Sequence, residues 1–203
     1  MTDHTVVGIA GGSGSGKTTL VASLVGLLSR RSLALIDQDA YYRDRSYLSL
    51  QAREMLNYDV PEALDLDLLA SHTADLRRDK AVEKPIYDFA THTRLKGFSL
   101  VLPGEVIIVE GTLVFSHTTL RSLMDIKVFM DLPADVRLAR RILRDVRDRS
   151  RSVEAVLSQW LDSVRTMDEQ YVAPTKRHAD IILTQDPSRN DIEALIERLR
   201  GRP

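Results

Sequence analysis

Eight consecutive residues, Gly11-Gly12-Ser13-Gly14-Ser15-Gly16-Lys17-Thr18, follow the spacing G-x-x-x-x-G-K-[ST]. Glycines permit a tight loop whose backbone N–H groups converge on phosphate oxygens. A helix starting near Lys17 adds an N-terminal dipole that favours anions. In such a loop the Lys17 ammonium offsets β/γ-phosphate charge and the Thr18 hydroxyl faces Mg²⁺. The predicted chemistry is triphosphate binding, with Gly11, Gly12, Ser13, Gly14, Ser15, Gly16, Lys17, Thr18 and Thr19 as the cradle. A glycine-rich strand–helix turn without nucleotide is the simpler reading; the complete motif between an apolar run and a helical pattern tells against it.

A phosphate loop does not by itself select a reaction. The Asn-Lys-x-Asp expected of a Ras-like GTPase is missing, since Asn57 and Asn190 are the only asparagines and neither precedes Lys. No Leu-Ser-Gly-Gly-Gln segment is present, and 203 residues are few for an AAA+ ATPase. A small-molecule kinase remains by elimination.

Two acidic sites follow apolar runs. The run ending at Ile36 leads into Asp37-Gln38-Asp39, and the run ending at Val109 leads into Glu110-Gly111. Ligands in open α/β sheets gather beyond the carboxyl ends of strands. Carboxylates there can hold Mg²⁺ or accept a proton from an attacking hydroxyl. Either acid could instead cap the next element, but nearness to the phosphate loop favours the functional reading for Asp39 and Glu110. A third feature is residues 137–151, with seven Arg, two Asp and no Lys. At ~100° per residue, Arg137, Arg140, Arg141, Arg144 and Arg147 share one side of a helix, and Leu138, Ile142, Leu143 and Val146 the other. The expectation is a helix that packs by its apolar side and presents guanidinium forks to phosphate, as a lid.

Short, mostly continuous apolar runs position these residues: 6–10, 33–36, 106–109, 126–130 and 181–183. Such runs suit strands covered on both faces, as in a parallel sheet. Helical spacing lies between them, in Leu20, Leu24, Leu27 and Leu28, and again in Ile192, Leu195, Ile196 and Leu199. The prediction is an α/β P-loop NTPase-type doubly wound parallel sheet in one domain spanning 1–203. A small β-hairpin excursion is expected at about 84–102, and an arginine-rich helical lid with its following helix at about 134–160.

Composition sets the exclusions. Hydrophobic residues at 43% and charged residues at 28% are ordinary globular usage, which tells against wholesale disorder. Without Cys there is no disulfide scaffold, thiolate zinc site or thiol nucleophile. No run approaches a membrane span and no secretory signal is evident, so a soluble, cytoplasmic protein is expected. Twenty-eight basic against 29 acidic residues argue against a nucleic-acid binder.

From Val6 to Leu183 the sequence resembles the uridine kinase (uridine–cytidine kinase) group of the phosphoribulokinase/uridine kinase family of P-loop kinases. The resemblance rests on ordered segments: the phosphate loop, Gln38-Asp39-Ala40-Tyr41-Tyr42, Asn57-Tyr58-Asp59 through Asp65, Pro85-Ile86-Tyr87-Asp88-Phe89 with His92 and Arg94, and Glu110-Gly111. Arg140-Arg141-Ile142-Leu143-Arg144-Asp145 and Pro174-Thr175-Lys176 complete it. It implies transfer of phosphate from ATP or GTP to the 5′-hydroxyl of uridine and cytidine. It further implies that Asp39 accepts the hydroxyl proton, Asp65 holds the ribose hydroxyls, and Tyr87 and His92 meet the pyrimidine edge. Tyr42 lies near the nucleoside, Arg141, Arg151 and Gln159 complete its site, and Arg144 approaches the phosphates. Thr18, Glu110 and Asp39 would form the Mg²⁺ environment, and a homo-oligomer, commonly a tetramer, is implied.

This chain departs from the family pattern at Val60, Leu64, Thr112, Ser150 and Thr184-Gln185-Asp186-Pro187. Two other readings stand beside nucleoside phosphorylation: a related kinase for another hydroxylated acceptor, such as a sugar phosphate or pantothenate, and a non-catalytic nucleotide-binding regulator.

Overall fold

The apolar runs become strands that pair in parallel. The computed structural model describes residues 4–28 and 33–200. Its strands are β1 (Thr5–Gly11), β2 (Leu33–Asp37), β3 (Val82–Asp88), β4 (Thr93–Val101), β5 (Val106–Gly111), β6 (Ile126–Met130) and β7 (Ile181–Leu183). The helices are α1 (Lys17–Leu27), α2 (Leu50–Glu54), α3 (Leu66–Arg77), α4 (Thr118–Ser122), α5 (Ala134–Arg149), α6 (Val153–Gln159), α7 (Arg165–Met167) and α8 (Arg189–Arg200). Five strands form a parallel sheet in the order β2-β5-β1-β6-β7. Alternate residues serve opposite layers. Val7, Ile9, Val106 and Ile108 pack with α1 and α8, whereas Val6, Ala10, Ile107 and Val109 pack with α3 and α4.

Two boundaries differ from the sequence expectation. Asp37 lies inside β2 and Glu110-Gly111 inside β5, because Asp37↔Glu110 and Ala10↔Gly111 continue the ladder. Backbone pairing is indifferent to the polarity of these side chains. On α1, Leu27 is exposed while Val21 is buried; Leu20, Leu24 and Leu28 centre the buried arc on Val21's side and leave Leu27 at its rim.

Residues 82–101 form an antiparallel hairpin beside the sheet, with a register shift between Pro85 and Tyr87. Proline has no N–H to give the ladder, which suits an irregular position on an isolated ribbon. Among the described residues, no helix is long and apolar enough to cross a membrane.

The orientation of α5 reverses the expectation. Arg137, Arg141 and Asp145 are its buried residues, whereas Leu143 is 73% exposed and Val146 faces outward. Buried charge is tolerated only when paired and hydrogen-bonded, and this side of the helix meets Ser13, Gln159 and Asp168, with Asp145 on the helix itself. The helix ends at Ser150, whose left-handed φ of 52° bends the chain toward α6. Relief of about 1–2 kcal/mol of strain, offset by about 0.4–1 kcal/mol from a looser unfolded chain, makes Ser150→Gly stabilising by roughly 0.5–1 kcal/mol. Thermal denaturation checks this; an unchanged or lowered Tm would show that the turn is unstrained.

Candidate active site

The phosphate loop joins β1 to α1 at the carboxyl end of the sheet. Gly14 and Gly16 adopt φ of 79° and 89°, and Ser15 N–H donates to the Gly12 carbonyl at 3.1 Å. Lys17 Nζ folds back to the Gly11 and Gly12 carbonyls at 2.9 and 3.1 Å. Thr18 Oγ1 donates to Glu110 Oε1 at 3.4 Å, and the neighbouring Thr19 is exposed. Ser13 is held by α5: Arg141 Nη1 donates to its Oγ at 2.7 Å.

The acids divide their work. Asp37 accepts from Ala40 N–H at 3.0 Å and pairs with Lys84 of β3, tying the hairpin to the sheet edge. Asp39 lines a cavity of about 270 Å³ together with Lys84, Tyr87 and Phe89. Desolvation by the cleft walls raises the Asp39 carboxyl above the ordinary range, opposed by Lys17. Glu110 is raised in the same way. Desolvation brings Lys17 down to about 8, with Glu110 and Asp39 opposing. A divalent cation fits here only as a shared ligand. Among the described residues no group of three or more His, Asp or Glu could hold it alone. Mg²⁺ ordinarily takes one or two carboxylates plus substrate phosphate, and Thr18, Glu110 and Asp39 supply hard oxygens beside the loop.

Aromatic rings wall the other end. Tyr42 lies 5.1 Å from Tyr87 and 5.6 Å from Tyr58, and Tyr58 stacks on His92 at 4.9 Å. Phe89 completes the cluster, 5.3 Å from Tyr87. His92 sits at the hairpin turn with φ of 52°, and burial lowers its pKa, favouring the neutral ring. Asp65 caps α3 through Leu68 N–H at 3.3 Å and lies 3.5 Å from Arg94 and 3.9 Å from Arg43. Arg94 also donates to the Tyr42 carbonyl at 2.8 Å, joining the hairpin to this corner.

The arginines separate into distinct groups. Arg141 and Arg151 both donate to Gln159 Oε1, at 2.8 and 2.6 Å, so this predicted trio is a single cluster. Arg144 donates to Asp145 at 2.8 Å. Contrary to the expected phosphate face, Arg137 is committed behind the loop: it pairs in bidentate fashion with Asp168 at 3.1 and 2.8 Å and lies over Trp160. Arg140 pairs with Asp186, and Arg147, exposed, with Asp148. Sequence reasoning assigned no role to Tyr58, Phe89, Lys84 or Asp168. Tyr58 and Phe89 carried a signal, as aromatics within the quoted segments; Asp168 carried none, being 31 residues from its partner.

The departures at Leu64 and Thr112 are structural. Leu64 is in the core, bridged to Tyr42, and Thr112 Oγ1 accepts from Gln38 Nε2 at 3.2 Å.

Comparison with known proteins agrees with this geometry. The model of the phosphoribulokinase / uridine kinase family matches residues 6–193. The chain is 45% identical to a uridine kinase of Halalkalibacterium halodurans over 97% of this chain and 93% of that protein. It is 47% identical to a uridine kinase of Staphylococcus epidermidis over 93% and 91%. In fold it is similar to a fructose transport system kinase from Silicibacter (TM-score 0.70, 24% identity, 90% and 91% covered). It is also similar to phosphoribulokinase from Rhodobacter spheroides (0.67, 16%, 91% and 71%). With the family model matching residues 6–193 and these two uridine kinases 45% and 47% identical over almost its whole length, the chain belongs to the phosphoribulokinase/uridine kinase family.

Proposed function

We propose that this protein is a uridine kinase that transfers the γ-phosphoryl group of ATP or GTP to the 5′-hydroxyl of uridine, and of cytidine. The observation that carries this reading is the position of Asp39, which lines a cavity with Tyr87 and Phe89 and interacts electrostatically with Lys17 of the phosphate loop, with Tyr42 packed beside Tyr87. The loop amides and Lys17 bind the triphosphate. Asp39 orients the 5′-hydroxyl and takes its proton as the new O–P bond forms and the bond to the β–γ bridging oxygen breaks. Arg144 meets the charge on the transferring group, and closure of the α5–α6 arm excludes water. Thr18, Glu110 and Asp39 would hold Mg²⁺, which when bound supplies neutralising charge to the β- and γ-phosphate oxygens. Asp65 accepts from the ribose hydroxyls, Tyr87 and His92 meet the pyrimidine edge, Tyr42 packs beside it, and Arg141, Arg151 and Gln159 close the pocket. By family resemblance the enzyme acts in the cytoplasm as a homotetramer.

The high identity to uridine kinases tells against the sugar-phosphate, pantothenate and regulatory readings. A coupled ADP-release assay over nucleosides, sugar phosphates and pantothenate, with ATP and GTP in turn, tests the proposal. Turnover confined to uridine and cytidine is expected; turnover only with another acceptor, or with none, would overturn it.

Asp65 calls for a careful substitution. Alanine would also remove the α3 cap, worth ~1 kcal/mol. Asparagine keeps a capping oxygen and discards the charge. Asp65→Asn should raise the uridine KM roughly 10- to 100-fold, the scale of hydrogen bonds to a charged group, with a smaller change in kcat. A normal KM would remove Asp65 from ribose binding.

A further inference from the structure

Asp145 is wholly buried on α5, yet the phosphoryl-transfer reading gives it no task. Four guanidiniums converge on its carboxylate, and they divide by oxygen. Oδ1 takes Arg144 at 2.8 Å and Arg149 at 3.6 Å. Oδ2 takes Arg151 at 3.5 Å and Arg141 at 3.8 Å. The Oδ2 pair is the one that meets on Gln159. Of the Oδ1 pair, Arg149 reaches across to the Phe89 ring at 5.4 Å, and Arg144 acts electrostatically on Lys17 and Asp39.

One negative charge cannot neutralise four positive ones, so the cluster keeps a net positive charge for anions while being held in a single arrangement. Long arginine side chains carry large rotamer entropy, and mutual repulsion would scatter them without an anchor. Fixing them beforehand removes that cost from the binding step.

We propose that Asp145 is a positioning residue for phosphoryl transfer, its Oδ1 setting Arg144 toward the phosphates and Arg149 over the Phe89 ring, and its Oδ2 setting Arg141 and Arg151 on Gln159. The proposal rests on the kinase reading above, but its donor side is measurable without any acceptor.

Affinities for ADP and for a non-hydrolysable ATP analogue, each with Mg²⁺, are compared in wild type, Asp145→Asn, Arg144→Ala and the double variant. Wild type should favour the triphosphate by roughly 10-fold or more, the scale of a charge-assisted hydrogen bond. Asp145→Asn should erase most of that preference while ADP affinity stays within about 3-fold, and adding it to Arg144→Ala should cost nothing further, since Asp145 acts through Arg144. A merely structural role would weaken both nucleotides and multiply with Arg144→Ala. Should Asp145→Asn not fold, Asp145→Glu, which retains the buried charge displaced by one methylene, completes the same cycle. A preference absent in wild type, intact in the Asp145 variant, or lost multiplicatively overturns the proposal. Failure of uridine as acceptor would overturn the nucleoside reading alone and leave this donor-side result standing.

Discussion

Replacing Asp39 by Asn is expected to lower kcat about 10²- to 10⁴-fold, the usual contribution of a general base. Asparagine has nearly the same shape, so the cavity beside Tyr87 and Phe89 keeps its walls. What disappears is the oxygen able to take the hydroxyl proton. Asp37 cannot substitute, because it caps Ala40 N–H and is paired with Lys84. Loss should therefore appear in kcat, with uridine KM changed by only a few-fold. Steady-state kinetics alongside circular dichroism decide the matter; an Asp39→Asn enzyme with wild-type kcat would remove the residue from that role.

The second large effect comes from a glycine. A methyl group at Gly14 would meet the Arg137 carbonyl well inside contact distance, at a φ of 79° that side chains rarely adopt. The conformation alone costs ~1–2 kcal/mol. Arg137 cannot withdraw, because Asp168, Trp160 and the Leu132 carbonyl hold its guanidinium. The loop has to move instead, and displacement of about 1 Å at a reacting centre can cost 10²-fold. Gly14→Ala should lower kcat/KM for the donor by about 100-fold or more and reduce Tm. Gly26→Ala serves as its control. Nothing lies within 4 Å of that site in α1, so alanine there should add about 0.5–1 kcal/mol of stability with activity unchanged. Equal behaviour of the two variants would contradict the clash with Arg137.

Legibility of the sequence followed the range of the interactions. The phosphate loop and the strands were readable because each is written in consecutive residues. Asp39 and Glu110 could be placed because a strand end fixes where the next side chain emerges. The facing of α5 was not readable by the rule that apolar sides pack inward. That rule failed because Asp168 and Gln159 satisfy the arginines from positions 31 and 18 residues away. Asp145 was the local clue, four residues from Arg141 and from Arg149, the spacing of an ion-pair ridge. The places of Leu64 and Thr112 were not legible either: these departures from the family pattern depend on remote partners, one filling the core beside Tyr42 and the other accepting from Gln38.

The contact between Arg141 and Ser13 joins positions 128 apart in the chain, and the close seat of Arg137 against Gly14 is nearly as distant. Heredity is constrained accordingly. The glycine loop and the arginine helix form a lock and its key, cut to each other at both points, and neither can be exchanged with that of a distant kinase alone. A chimera joined anywhere between α1 and α5 would inherit one without the other. For recombination, the functional unit of this protein is therefore a pair of remote segments that have to travel together.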